Sequence, residues 1–303
     1  MCRMFGFRSS VPSRAHRSLL EAENALAAQS VGHPDGWGIG WFVGDDAYVA
    51  KSGASAHACE RFSRTSQRLA SHTFVVHVRR ATVGVVDSLN AHPFRFGRWL
   101  FAHNGTLFDM DRMRPWLAER TPSSFESQIL GDTDSEALFF WLLGRLEAAG
   151  IDPHGRDQPD ASVTAGAVRE ALLELDAVSV ELGVMRPLLN VLLTDGRSMV
   201  GHRAGMPLHL STQKAHCPDA QTCTALKVCL ERVRPPGHPV NHILLASERI
   251  GVGENLWEEV EDGATVVLSP DMHLSITEPP KGWVAPVMPE HLRVQAAPSL
   301  AVS

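Results

Sequence analysis

Apolar residues fall into short runs separated by turn residues, and this pattern predicts strands along much of the chain. Short runs rich in Val, Ile, Phe and Trp are typical of buried strands. Gly36, Gly38 and Gly40 alternate along one run, so they share one face of a strand and leave room for another backbone. The predicted strands are residues 2–7, 36–43, 47–51, 73–79, 98–104, 188–196, 197–203, 207–211, 241–247, 264–269 and 273–277.

Segments with apolar residues at helical spacing predict helices between these strands. Ser13 is the expected N-cap of the first helix, and Gly150 closes the third. Because most strands follow one another through hairpins, the order indicates an α+β fold with antiparallel sheets covered by helices. We expect one domain over residues 2–277 and a loosely packed, proline-rich tail over residues 278–303. The predicted helices are residues 13–28, 58–70, 134–150 and 163–182.

Composition restricts the class of protein. Of the 303 residues, 44% are hydrophobic and 20% are charged, which is typical of a globular protein. The formal net charge of −6 argues against a nucleic-acid partner, and no apolar run reaches the roughly 20 residues that span a bilayer. The N-terminal segment lacks the apolar core of a secretion signal. We therefore expect a cytoplasmic protein with no membrane or nucleic-acid partner.

Residue types suited to nucleophilic chemistry occur at the start of the chain and at the end of a predicted strand. Cys2 follows the initiator methionine, and removal of Met1 would place a thiol nucleophile and a basic α-amine on one residue. Asn104 and Gly105 end a predicted strand. They form either an ordinary Asn-Gly turn or a pair of convergent donors, which is an oxyanion hole.

Two charged residues add binding chemistry, each with an alternative. Arg79 ends another predicted strand, where it forms either a surface salt bridge or a bidentate anchor for a carboxylate. Asp134 opens a predicted helix, where it either stabilises the N-terminus or receives a ligand's ammonium group. Together with Cys2, these groups suit a ligand with an α-carboxylate, an α-ammonium and a side-chain amide. Glutamine and γ-glutamyl amides have this chemistry.

The chain contains six short motifs whose order resembles that of the class II glutamine amidotransferases, the cysteine branch of the N-terminal-nucleophile (Ntn) hydrolases. Several ordered motifs are far more specific than any single one. LLASERI at 244–250 and the following Trp257 resemble the closing half of the family's stand-alone members. The motifs are the N-terminal MC, DGWGI at 35–39, HVRRAT at 77–82, NAHPF at 90–94, HNG at 103–105 and TDSE at 133–136.

The resemblance implies a four-layer αββα sandwich of two antiparallel sheets, the Ntn-hydrolase fold. It implies that Cys2, exposed by removal of Met1, attacks the amide and forms a γ-glutamyl thioester, which water hydrolyses. The residues that carry over by motif position are Arg79 for the carboxylate, Asp134 for the ammonium group, Asn104 and Gly105 for the oxyanion, and Thr82 and His92 for the pocket wall.

The chain departs from the synthase-linked members of the family. Arg80 replaces a tryptophan common in their motif, and residues 150–303 are expected to complete the sandwich rather than form an acceptor domain. The chain instead resembles the subgroup of ergothioneine-pathway hydrolases and glutathione-degrading amidase subunits. We therefore expect hydrolysis of glutamine or a γ-glutamyl compound, with release of glutamate and ammonia or an amine. The alternatives are a glutaminase subunit that delivers ammonia to a separate partner synthase and a non-catalytic binding module. The sequence leaves open whether the protein pairs with a partner enzyme or forms a homo-oligomer.

One segment is not explained by the resemblance. Cys217, Cys223 and Cys229 lie within residues 212–240, which have the character of an insertion. Five cysteines in all, thinly spread, argue against a disulfide framework. We favour a helix over residues 219–232 that packs two of these cysteines as apolar groups, because zinc ligands usually lie closer together in sequence. The alternative is a metal or redox site, and we expect no metal and no cofactor.

Overall fold

The computed structural model describes residues 2–215, 239–290 and Leu292, and its strands pair only in antiparallel fashion within those residues. The strands are β1 Arg3–Ser13, β2 Trp37–Val43, β3 Asp46–Ser52, β4 Ser71–Val78, β5 Phe94–Phe96, β6 Trp99–Thr106, β7 Leu188–Thr194, β8 Met199–His202, β9 His209–Lys214, β10 His242–Ala246, β11 Asn255–Glu259, β12 Thr265–Leu268 and β13 Leu274–Thr277. The α-helices are α1 Leu26–Gln29, α2 Glu60–Arg68, α3 Met110–Arg120, α4 Ser123–Glu126, α5 Asp134–Ala148 and α6 Ala161–Glu181, and short helical turns cover Arg17–Glu21 and Ser30–Gly32.

The strands form two sheets that pack face to face. The first has seven strands in the order β11-β9-β10-β1-β4-β2-β3, and the second has six in the order β13-β12-β8-β7-β6-β5. Helices α1 and α2 cover the outer face of the first sheet, and α3 to α6 cover the outer face of the second. The expected αββα sandwich is therefore confirmed.

Alternation along the strands produces three apolar layers. On β1, Met4 points between the sheets, whereas Phe5 and Phe7 point toward the helices. On β6, Leu100 points between the sheets and Phe101 packs under α5. Successive side chains of a strand face opposite sides, so both faces of each central strand are buried and the runs are apolar throughout.

The register of two central strands brings the candidate residues together. β1 lies between β10 and β4, with Phe5 opposite both Ala246 and Val76. Cys2 therefore lies where β4 ends and residues 79–80 begin. In the second sheet, β6 pairs with β7 with Asn104 opposite Asn190, and the C-terminal end of β6 reaches the same edge of the sandwich.

The glycine run on β2 has the close approach that its pattern predicts. β2 and β3 form a hairpin around Gly44, whose φ is +61°. A Cβ at Gly38 would overlap the carbonyl oxygen of His92, and one at Gly40 would lie 2.7 Å from Leu100 and 2.8 Å from a Pro93 side-chain atom. The bare face of β2 thus receives the segment that leads into the second sheet.

The predicted helix over residues 13–28 is wrong. β1 continues to Ser13, which is not an N-cap, and the following chain forms only the turn Arg17–Glu21 and the four-residue α1. Asn24 has a φ of +57°, which breaks any continuous helix between these two pieces. Pairing of β1 with β4 and packing of Leu19 and Leu26 on the sheet outweigh the local periodicity.

The chain's last described segment packs on the second half of the fold. Trp283 donates from Nε1 to Asp262 at 2.9 Å and stacks under the Arg186 guanidinium at 5.0 Å, and Leu292 packs with Leu188 and Met206. Met1 and residues 216–238, with all three cysteines of the expected insertion, lie outside the described residues. In the described part, no helix is long and apolar enough to cross a membrane.

Candidate active site

Cys2 lies against the main chain that follows β4. Its Sγ accepts a hydrogen bond from the Arg80 N–H and donates to the Arg80 carbonyl oxygen, each at 3.4 Å. Arg3 donates from Nη1 to the Cys2 carbonyl oxygen at 3.2 Å and pairs with Glu248 at 2.9 Å. Burial raises the pKa of the Cys2 thiol, while the Arg80 backbone and the charges of Arg79 and Arg3 oppose this rise. A raised thiol pKa requires a base to generate the thiolate.

The segment beside the thiol is held by the Asp-Gly turn before β2. The Arg79 N–H donates to the Gly36 carbonyl at 2.7 Å, and the Asp35 N–H donates to the Arg79 carbonyl at 3.1 Å. Asp35 also accepts from the Ala81 N–H at 2.9 Å. Three hydrogen bonds therefore fix residues 79–81 against the start of β2, which explains the local role of the DGWGI motif.

Arg79 is buried, which excludes the surface salt bridge considered above. Its guanidinium donates to the carbonyl oxygens of Val83 at 2.7 Å and Val85 at 2.8 Å. These bonds organise the loop after β4, on which Thr82 is exposed. Guanidinium has five donors, so carbonyl binding leaves capacity for a carboxylate.

Asn104 joins the two sheets. Its side-chain amide lies 3.0 Å from Ser247 Oγ, and that hydroxyl accepts from the Met4 N–H at 3.1 Å. The other amide atom, placed as Oδ1, is buried and has no hydrogen-bonding partner among the described residues. Gly105 lies on β6, where a Cβ would overlap the Leu188 carbonyl oxygen and Nε2 of His103. The Asn-Gly pair therefore continues β6 and is not a hairpin turn.

Asp134 is buried at the first position of α5 and makes local hydrogen bonds. Its carboxylate accepts from the N–H groups of Leu107 and Ser135, each at 2.8 Å. Thr133 caps the helix through the Glu136 N–H at 3.2 Å. Asp134 and Thr133 therefore stabilise the N-terminus of α5, which is the first of the two alternatives given for Asp134. An ionised carboxylate still has free acceptor positions for an ammonium group.

Three buried histidines lie next to these residues. The rings of His77 and His92 are 4.3 Å apart, and Phe94 contacts His92 at 4.6 Å. His103 bridges Ser135 and the Leu188 carbonyl, each at 2.9 Å. Burial lowers the pKa of His77 to about 3 and lowers those of His92 and His103. These rings are therefore neutral near pH 7, and His92 is a packed core residue.

Ser247 and Glu248, which contact Asn104 and Arg3, were not among the residues selected from sequence. They lie in LLASERI, a segment noted only as a resemblance, and a serine there has no chemical signal of its own. Only the pairing of β1 with β10 brings them to Cys2. Among the residues that the structure describes, no group of three or more His, Cys, Asp or Glu side chains is arranged to hold a metal ion.

Comparison with known proteins agrees with the fold and identifies the family. The family model described as "Glutamine amidotransferases class-II" matches residues 1–286. A solved glutamine aminotransferase class-II domain protein from Silicibacter pomeroyi superposes with a TM-score of 0.58 at 17% identity, covering 92% of this chain and 99% of that one. At that identity the likeness supports the fold alone.

Two relatives bear on the chemistry. The Saccharomyces cerevisiae protein named "Probable glutamine amidotransferase DUG3" is 27% identical over 229 residues, 67% of this chain and 63% of its own length. The γ-glutamyl-hercynylcysteine sulfoxide hydrolase of Mycobacterium tuberculosis is 39% identical over 117 residues, 35% of this chain and 50% of its own length. The match thus spans less than two thirds of either relative. With the family model covering nearly the whole chain, the protein belongs to the class II glutamine amidotransferases.

Proposed function

We propose that this enzyme hydrolyses the γ-amide of glutamine or a γ-glutamyl compound through a thioester on Cys2. The products are glutamate and either ammonia or an amine. The observation that supports this most directly is the placement of Cys2. Its Sγ contacts the Arg80 backbone at 3.4 Å, and Ser247 links the adjoining Met4 to the Asn104 amide across the two sheets.

In the proposed first step, the α-amine of Cys2, freed by removal of Met1, takes the thiol proton. The thiolate attacks the γ-carbonyl carbon, and the carbonyl oxygen becomes an oxyanion that accepts hydrogen bonds from Asn104 and the Gly105 N–H. The tetrahedral intermediate then expels the amine, which takes the proton from the α-ammonium group of Cys2. A thioester between Cys2 and the γ-carboxyl group remains.

In the second step, water attacks the thioester carbonyl while the α-amine accepts its proton. The C–S bond breaks, the departing thiolate takes the proton back from the α-ammonium of Cys2, and glutamate leaves. Arg79 binds the α-carboxylate of the glutamyl group and Asp134 binds its α-ammonium. In this proposal the exposed Thr82 and the buried His92 contribute to the pocket wall.

Replacement of the nucleophile tests this proposal. Purified wild-type protein is assayed for glutamate release from glutamine, glutathione and γ-glutamylethylamide, with N-terminal mass spectrometry to establish that Met1 is absent. Cys2→Ala should reduce release at least 1,000-fold, on the order of the loss of an essential nucleophile. Cys59→Ala, which alters another free, partly buried cysteine, should leave it unchanged.

Retained activity in Cys2→Ala, or an active enzyme that still carries Met1, would exclude this mechanism. The alternative, a glutaminase subunit that delivers ammonia to a separate synthase, instead requires glutamine to be preferred and activity to rise when the partner is added. The cytoplasmic location expected from sequence remains a prediction, and a partner enzyme or a homo-oligomer stays an open alternative.

A further inference from the structure

Ser247 occupies a junction between the two sheets. It directly follows β10, is 4% exposed, and its N–H donates to the Met4 carbonyl at 3.0 Å. Its hydroxyl oxygen lies 3.1 Å from the Met4 nitrogen in the first sheet and 3.0 Å from the Asn104 amide in the second. The hydroxyl therefore has a fixed donor on one side and a carboxamide on the other.

A count of donors and acceptors decides which way this amide is turned. The Met4 N–H can only donate, so the Ser247 oxygen accepts from it and the hydroxyl proton is left to donate. With the amide nitrogen facing Ser247, the part of the chain that the structure describes offers no acceptor for that proton, and it offers no partner for the buried Oδ1. The opposite orientation, with the same heavy-atom positions, places the oxygen against the hydroxyl and satisfies both the hydroxyl proton and Oδ1. It leaves the NH₂ group without a protein acceptor among the described residues, and the proposed oxyanion would supply that acceptor.

We infer that Ser247 is a positioning residue for the proposed hydrolysis: it donates to Asn104 Oδ1 and so turns the Asn104 NH₂ group toward the oxyanion. This inference rests on the proposed function and assigns a role that the motifs do not contain. The chain of donors runs from the Met4 N–H to the Ser247 hydroxyl and on to the Asn104 carbonyl. Without the serine, neither amide orientation is preferred, and a rotated amide presents an oxygen to the oxyanion.

The local structure suits this task. Met4, Ser247 and Asn104 are all buried, so water does not compete for these hydrogen bonds. Glu248, the next residue, pairs with Arg3 at 2.9 Å. The end of β10 therefore contacts both the main chain next to Cys2 and the Asn104 amide.

Kinetics of matched variants test the inference. Loss of an oxyanion donor typically reduces kcat about 100- to 1,000-fold, so we expect Asn104→Ala to fall in that range and Ser247→Ala to reduce kcat about 10- to 100-fold, with KM within about threefold. Ser211→Ala is the control, because Ser211 is a buried serine on the neighbouring strand whose hydroxyl donates only to the Gln213 carbonyl. Ser247→Thr, which keeps the hydroxyl, should recover most of the activity.

The double variant separates positioning from a general structural effect. Because Ser247 acts through the amide, Ser247→Ala should cost no more than about threefold in the Asn104→Ala background. Multiplicative losses, or Ser247→Ala activity equal to that of Ser211→Ala, would overturn the inference. Circular dichroism and thermal unfolding of each variant identify any loss that comes from unfolding.

Neutron diffraction from deuterium-exchanged wild-type crystals tests the same inference without relying on activity. The Ser247 deuteron should lie toward Asn104, and the two amide deuterons should point away from Ser247. An amide nitrogen facing Ser247 would contradict the inference even in an active enzyme. Absence of glutamate release with the expected deuteron positions would instead contradict the proposed function and leave the geometric inference standing.

Discussion

Arg79 and Arg80 are neighbours in the chain, yet their guanidinium groups bind different segments. Arg79 donates to carbonyls of the loop after β4, whereas Arg80 donates to the Gly32 carbonyl at 3.3 Å. Between them, the Arg80 main chain contacts the Cys2 thiol. A γ-glutamyl substrate runs from its α-carboxylate through the reacting carbonyl to the amine. If Arg79 binds the α-carboxylate as proposed, we expect the Arg80 guanidinium to lie toward the amine end of the substrate.

We expect Arg80→Gln to change the preference among leaving amines. With γ-glutamylglycine, whose leaving amine has a carboxylate, kcat/KM should fall about tenfold, equivalent to about 1.4 kcal/mol from one charge-assisted hydrogen bond. With γ-glutamylethylamide, which lacks the carboxylate, it should stay within about threefold. Steady-state assays of glutamate release measure both.

The control for this comparison is Arg197→Gln, which removes an exposed arginine paired with Asp45 at the surface. It should leave both substrates unaffected. An equal loss on both substrates in Arg80→Gln would show that Arg80 supports Cys2 or the fold and does not select the amine.

At the scale of elements, the contact between β2 and the segment before β5 determines where the chain passes from the first sheet into the second. Gly38 faces the His92 carbonyl directly, and Lys51 on β3 donates to the Ala91 carbonyl at 2.7 Å. Burial lowers the pKa of Lys51 to about 8, which is consistent with its enclosure by this segment. The glycine lets the backbone of residues 91–93 lie against the strand.

Gly38→Ala should therefore destabilise the fold. The added methyl group overlaps main-chain atoms that cannot move aside cheaply, and overpacking of this kind typically costs about 1–3 kcal/mol. Urea unfolding at pH 7.5 measures the difference. Gly166→Ala, in the interior of α6 with nothing within 4 Å of the new methyl group, should be neutral or stabilise by up to about 1 kcal/mol. Equal stabilities for the two variants would show that β2 does not need the close approach.

At the scale of the whole molecule, buried histidines make the fold sensitive to acid. His77 and His202 have pKa values lowered to about 3 by burial, and that of His242 is lowered to about 4. The pKa of an unfolded histidine is about 6.5. The unfolded chain therefore binds protons first as the pH falls, and stability is lost progressively below pH 6.5.

The free energy of unfolding should accordingly fall steeply between pH 7 and pH 5, by up to about 2 kcal/mol for each such histidine. Urea titrations across this range measure the slope. His202 lies on β8, where its ring forms a hydrogen bond with Thr265 Oγ1 at 2.9 Å. His202→Asn should therefore reduce the loss of unfolding free energy between pH 7 and pH 5 by about that amount. A stability that does not change between pH 7 and pH 5 would show that these rings take up protons as readily in the folded state as in the unfolded chain.

Most strands and the helices α2, α5 and α6 follow from local pattern, because β-branched runs and helical periodicity report burial directly. Helix α3 and the short strand β5 were not predicted; α3 carries Pro115 and many charged residues, which obscure its apolar periodicity. The sandwich and the family membership predicted from the ordered motifs are confirmed. The helix over residues 13–28 is wrong because its periodic residues pack as two short turns on a sheet whose pairing the local pattern does not encode. β11 was not predicted because its apolar pattern is weak: Leu256 and Trp257 are its two strongly apolar residues.

The sequence by itself determined the family, the two-sheet architecture and the set of candidate residues, because motif order, strand pattern and residue chemistry are properties of the chain. Only the tertiary structure decided how those residues are held. Ser247 lies 243 residues from Met4 and 143 from Asn104 along the chain. Pairing of β1 with β10 and packing of one sheet on the other bring the three together, and hydrogen bonds in a buried space then define where the thiol and the amide lie.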